Sequence, residues 1–145
     1  LIQRRHRARA ALYLAGDLGA TLVAFFAAWN LRFENPVVPV VHGVVPEFQR
    51  YLELLPAVLL IWPIVFYFHG LYQTRRGRSR VDEVLTVVVA VLLAAIFLAT
   101  FTAWYRPPLE PGSAYTFTYS RWFMGLFVAL DVLLVAVARM GVRSL

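Results

Sequence analysis

The sequence has no cysteine and no lysine. The first absence excludes a disulfide framework, a thiolate metal site and a thiol nucleophile, and it removes any redox mark of the compartment. The second leaves all 14 basic residues as arginine, which hints at a GC-rich genome and carries no chemistry of its own. Charge of either sign is also scarce, at 15% of residues, against roughly 25% in an average soluble domain. The three histidines, His6, His42 and His69, lie on separate segments and cannot form the i, i+4 ligand pair of a zinc site. No phosphate-binding glycine loop, dinucleotide fingerprint, H-E-x-x-H or nucleophile elbow occurs. These 145 residues hold no recognisable catalytic centre, catalytic residue, metal site or cofactor site of their own.

What the chain does have is apolar surface. Hydrophobic residues make up 61%, and the mean hydropathy is +0.67. Soluble domains average about 45–50% apolar, and a sphere of this size could not hide the excess from water. Hydrocarbon is the solvent that this composition expects. A membrane helix needs about 20 mostly apolar residues, and four windows qualify, at 10–33, 51–72, 84–105 and 119–138. The first is too long for a signal peptide, and no small-residue cleavage site follows it. The expected fold is all-α: one polytopic four-helix membrane domain over 1–145, with outer loops at 34–50 and 106–118 and an inner loop at 73–83.

Arginine sets the direction. Arg4, Arg5, Arg7, Arg9, Arg75, Arg76, Arg78, Arg80, Arg139 and Arg143 share one end, which nets +8 after Asp82 and Glu83. The other end holds Arg32, Arg50, Arg106 and Arg121 against Glu34, Glu47, Glu53 and Glu110, and nets zero. Positive ends stay inside, so both termini and the inner loop are expected in the cytoplasm. Trp29, Tyr51, Trp104, Tyr105, Tyr115, Tyr119 and Trp122 collect at the outer ends, where amphipathic rings prefer the headgroup zone. The stretch "PVVPVVHGVVPEFQR" (36–50) cannot be a regular helix and is expected as an ordered, extended segment on the outer surface.

The charged stretch "FHGLYQTRRGRSRVDEV" (68–84) then parses as a helix end, a turn and a helix start. Ser79 with Asp82 and Glu83 resembles an N-cap arrangement, with the acids near the positive end of a helix dipole. Adjacent acids on a helix point about 100° apart and do not converge on one metal ion. Arg75, Arg76, Arg78 and Arg80 are expected to retain the loop inside and to attract anionic lipid; a hold on a lipid-linked phosphate is the sharper alternative.

Inside the spans, Asp17 lies eight residues after Arg9, and Asp131 eight before Arg139. At 1.5 Å per residue both fall about 12 Å inward from those arginines, which makes them candidates for one shared polar layer. They are expected to face protein and find partners, as interhelical hydrogen-bonding groups or, alternatively, as a proton or cation site. Arg32 and Arg121 are outer-rim charges expected to snorkel. Pro63 should kink the second span. Small residues step by four at Gly16, Ala20, Ala24, Ala28 and at Ala95, Ala99, Ala103, and both stripes are expected to be packing surfaces.

Several pieces in order carry a resemblance: "GDLGATLVAFFAAWNLRF" (16–33), "FHGLY…RRGRSRVDEV" (68–84) and "YSRWFMGLFVALDVLLVAVAR" (119–139). They resemble the N-terminal membrane region of bacterial polyprenyl-phosphate sugar-1-phosphate transferases, the large phosphoglycosyl transferases that start capsule, exopolysaccharide or O-antigen synthesis. That resemblance implies a protein of the bacterial inner membrane, with a cytoplasmic catalytic region after residue 145. There, Mg²⁺ and an Asp-Glu dyad would move a sugar phosphate from a nucleotide-sugar onto undecaprenyl phosphate. Asp82-Glu83 stands in the wrong context to be that dyad. The membrane domain would serve as anchor, homodimer surface or docking element, with the lipid bilayer and no nucleic acid as partner. The chain begins at Leu1 and stops at Leu145, and a piece of something longer is expected. Two alternatives remain: the membrane head of a nucleotide-sugar 4,6-dehydratase or epimerase of polysaccharide biosynthesis, and a stand-alone four-helix transporter using Asp17 and Asp131.

Overall fold

Long apolar runs with few breakers have one way to satisfy their backbone in hydrocarbon, which is to hydrogen-bond within themselves as helices. The computed structural model describes residues 1–34, 48–72, 77–106, 108, 111–114 and 118–144, and every regular element in it is helical. Helix α1 runs from Ile2 to Trp29 and continues as a π-helical segment, Asn30–Glu34. A short α2 (Phe48–Leu52) leads into α3 (Leu55–Phe68), followed by α4 (Arg80–Trp104) and α5 (Arg121–Ser144). Four stretches are long and apolar enough to cross a membrane, of 33, 21, 25 and 24 residues. Even the shortest extends roughly 30 Å, which matches a hydrocarbon core.

The helices outrun the apolar windows at the charged end. α1 starts at Ile2 rather than near residue 10, and α5 runs on to Ser144. The arginine-rich segments contain no proline, and arginine and alanine are good helix formers, so the helix continues after the hydrocarbon ends. The second span is broken instead. Glu53 and Leu54 form a turn ahead of Pro56, whose ring would collide with the carbonyl of Leu52 in a continuous helix. Pro63 lies inside α3 without ending it. The extended segment expected at 36–50 falls mainly outside the described residues, which resume at Phe48 in a helix.

Contacts fix the topology. Asp17 meets Arg139, Thr21 meets Asp131, Phe25 meets Phe127 and Arg32 meets Ser120, so α1 and α5 run antiparallel. Tyr51 meets Phe123, Trp62 meets Phe127 and Leu71 meets Arg139, so α3 runs parallel to α5. α1 touches α5 and α3, and α4 touches the same two, which closes a ring of four. Both termini and the α3–α4 turn therefore share one end.

The interior is aromatic towards the other end. Phe25 stands edge-on to Phe123 and Phe127 at 5.2 and 5.6 Å, and Tyr51 edge-on to Phe123 and Tyr119 at 4.6 and 5.2 Å. Such pairs contribute about 0.5–1.5 kcal/mol each beyond their buried area. Gly16 lets α5 come close, with Ala138 and Val142 4 Å or less from where a Cβ would stand, and Ala24 and Ala28 are fully buried further along. The second small-residue stripe behaves differently from expectation. The inward face of α4 is Glu83, Val87, Ala90, Val91, Ala94 and Leu98, whereas Ala99 and Ala103 are exposed. One residue of offset rotates a stripe by about 100°, enough to turn it outward. The outer surfaces are greasy, with Leu60, Ile64, Phe68, Ile96 and Val137 all exposed, as lipid-facing positions would be.

Candidate functional site

The α3–α4 turn builds the most polar part of the interior. α3 ends in a Schellman motif: the Leu71 N–H donates to the Phe66 carbonyl, the Gly70 N–H donates to the Tyr67 carbonyl, and Gly70 takes φ +70°. A side chain at Gly70 would be strained in that conformation. The motif turns the chain inward at Leu71 and leaves its carbonyl 3.0 Å from Arg139 Nη1. Eight residues later Ser79 caps α4, its Oγ accepting the Asp82 N–H at 3.1 Å, as its spacing to Asp82 predicts. The two acids then part company. Asp82 is exposed, while Glu83 turns into the bundle.

Arg139 is the hub. Its Nε and Nη2 grip the two carboxylate oxygens of Asp17, its Nη1 donates to Leu71, and Glu83 Oε1 lies 3.5 Å away. The rings of Tyr13, Tyr72 and Phe66 lie 5.0, 5.7 and 5.9 Å from the guanidinium carbon. The second oxygen of Glu83 accepts from Arg143, which also donates to the Arg78 carbonyl at 2.8 Å. Two carboxylates and two guanidinium groups balance one another, and three of the four side chains are at most 9% exposed. Among the described residues no buried side-chain nitrogen or oxygen lacks a partner. The arrangement is a closed staple joining α1, α5 and the start of α4.

Asp131 belongs to a different level. It accepts from the Thr21 hydroxyl at 2.8 Å and from the Trp62 indole N–H, both uncharged donors. It is eight residues from Arg139 on one helix, which is about 12 Å. The expected single layer of Asp17 and Asp131 is thus two separate clusters, because Arg139 itself stands at the depth of Asp17 rather than in the charged flank beyond it.

At the opposite end, Arg32 is held against the start of α5. It is 7% exposed, its Nε donates to Ser120 Oγ at 3.2 Å, and its guanidinium lies 5.4 Å from the Phe33 ring. Ser120 also donates its N–H to the Tyr51 hydroxyl, and Tyr119 donates to the Arg50 carbonyl. Arg121 points outward and is exposed. At the inner loop, Arg80 is exposed and Arg78 half-buried, while Arg75 and Arg76 lie outside the described residues, as does His42.

No protein-family model, curated protein or solved structure matches the chain. Among the described residues no group of three histidines or acids could hold a metal ion. The Asp82-Glu83 pair does not fit Mg²⁺, since both oxygens of Glu83 already face arginines and Asp82 points elsewhere.

By position in the sequence Arg139 groups with the flanking charges and Glu83 with the helix cap. A signal for Arg139 was present. The buried face of α5 is Phe123, Phe127, Asp131, Val135 and Arg139, a step of four that the arginine simply continues.

Proposed function

We propose that this chain is the membrane-anchoring domain of a polyprenyl-phosphate sugar-1-phosphate transferase of the bacterial inner membrane, with its arginine-rich end in the cytosol. The supporting observation is where the resembling pieces meet. Asp17 of the first piece and Glu83 of the second both face Arg139 of the third, and Arg32 of the first bonds Ser120 of the third. The residues that made the sequence look like that family are the ones that hold this bundle closed, so they read as the signature of a membrane head rather than of a reaction. On this reading catalysis, Mg²⁺, the nucleotide-sugar and undecaprenyl phosphate belong to residues outside these 145. The bundle would hold that machinery at the membrane surface.

The test is transfer of radiolabelled sugar phosphate from a nucleotide-sugar into the lipid fraction by the protein that carries this domain. Labelled polyprenyl product that depends on Mg²⁺ is the expected result. Dehydration of the nucleotide-sugar with no label in lipid would move the assignment to the dehydratases.

A further inference from the structure

At the end away from the termini, the last turns of α4 and the first turn of α5 flank a groove of about 300 Å³. Ala99, Ala103, Thr102 and Met124 line it, together with Arg106 just beyond α4 and Arg121 at the start of α5. Neither arginine is in an ion pair among the described residues. The alanines leave room that larger side chains would fill. Ala99 lies five residues before Trp104, or about 7.5 Å deeper along the helix.

Depth is marked independently. Trp104, two residues before Arg106, is 90% exposed, and Trp122, next to Arg121, is 58% exposed. Exposed tryptophans at span ends sit at headgroup level, so Arg106 and Arg121 stand where lipid phosphates lie and the alanines lie where acyl chains begin. Guanidinium groups bind phosphate oxygens through paired N–H donors. We propose that this groove seats an anionic phospholipid, its phosphate against Arg106 and Arg121 and one acyl chain along Ala99, Ala103 and Met124. A free phosphate ion would make no use of the apolar lining, which is why a lipid-borne phosphate is the occupant. The site is at the opposite end from the inner-loop arginines and does not depend on what the protein catalyses.

Trp104 and Trp122 serve as reporters. In phosphatidylcholine vesicles holding the chain, small amounts of phosphatidylglycerol or phosphatidylcholine with brominated acyl chains are compared as quenchers of tryptophan fluorescence. Trp29 and Trp62, at 7% and 1% exposure, contribute little. Two surface arginines should favour the anionic quencher about thirtyfold in relative binding. Arg106→Gln with Arg121→Gln should bring that ratio close to one, while Arg78→Gln with Arg80→Gln at the other end should leave it unchanged. Ala99→Leu with Ala103→Leu, which fills the groove and keeps both arginines, should also lower it, with far-UV helicity checked for every variant. Equal quenching by both lipids in the parent chain, or a preference that survives loss of the two arginines, would overturn the site. A preference kept in full by the leucine variant, or abolished by inorganic phosphate, would overturn the lipid occupant.

Discussion

Arg139→Ala should destabilise the bundle by about 3–5 kcal/mol, the range expected when one partner of a buried ion pair is removed. The cost comes less from the lost contacts than from what remains. Asp17, 2% exposed, would be left buried without its cation, and the Leu71 carbonyl would lose its donor. Glu83 would be hurt less because Arg143 still holds its second oxygen. Arg139→Lys keeps the charge but not the planar fork that reaches both oxygens of Asp17 and Leu71 together, so it should fall between parent and alanine. The double variant Asp17→Asn with Arg139→Gln removes both charges and should be less harmful than Arg139→Ala alone, because no buried ion is left unpaired. Unfolding of the purified chain in mixed micelles, followed by far-UV circular dichroism as denaturing detergent is added, gives all of these values. Additive losses in the double variant would mean that the pair does not act as a unit.

The second large effect is at Trp62. Its indole N–H is one of two donors to Asp131, a fully buried carboxylate with no cationic partner among the described residues. Trp62→Phe should cost roughly 2–4 kcal/mol, part from the smaller ring in a fully packed site and part from the lost bond. A cycle separates the two. Interhelical hydrogen bonds in lipid couple by about 0.6 kcal/mol on average and up to about 1.7, and full burial of the acceptor places this one towards the top of that range. With Asp131→Asn as the second change, the coupling should be about 1–2 kcal/mol. A value near zero would show that Trp62 matters for packing alone. Thr21 should matter less, since its hydroxyl can turn to the carbonyl one helical turn back, which the rigid indole cannot do.

The bundle was legible because hydrocarbon imposes a crude rule: apolar runs of sufficient length become helices, and the solvent needs no other detail. The step from Ser79 to Asp82 was legible because a cap is a local device whose partners are three residues apart. The staple was harder to read because its members, Asp17, Glu83 and Arg139, are far apart in sequence, and only tertiary packing decides which of many arginines meets which acid. Position along the chain also misled. Arg139 lies next to the polar tail and looked like a topological charge, yet its angular phase on α5 puts it on the buried stripe with Phe127 and Asp131. Phase likewise decided the alanines of α4: Ala94 is buried, while Ala99 and Ala103 are at the surface. Arg32 was read by depth alone, and its partner, Ser120, lies 88 residues away in the chain.

The absence of native cysteine makes one measurement unusually clean. Single cysteines introduced as His6→Cys, Ser113→Cys and Ser144→Cys can be labelled with a membrane-impermeant maleimide in intact cells and again after permeabilisation. Four crossings with both termini in the cytosol predict that only the cysteine at 113 reacts in intact cells, and that those at 6 and 144 react once the membrane is opened. Labelling of all three from the same side, or recovery of the chain in the soluble fraction, would contradict the account at its base.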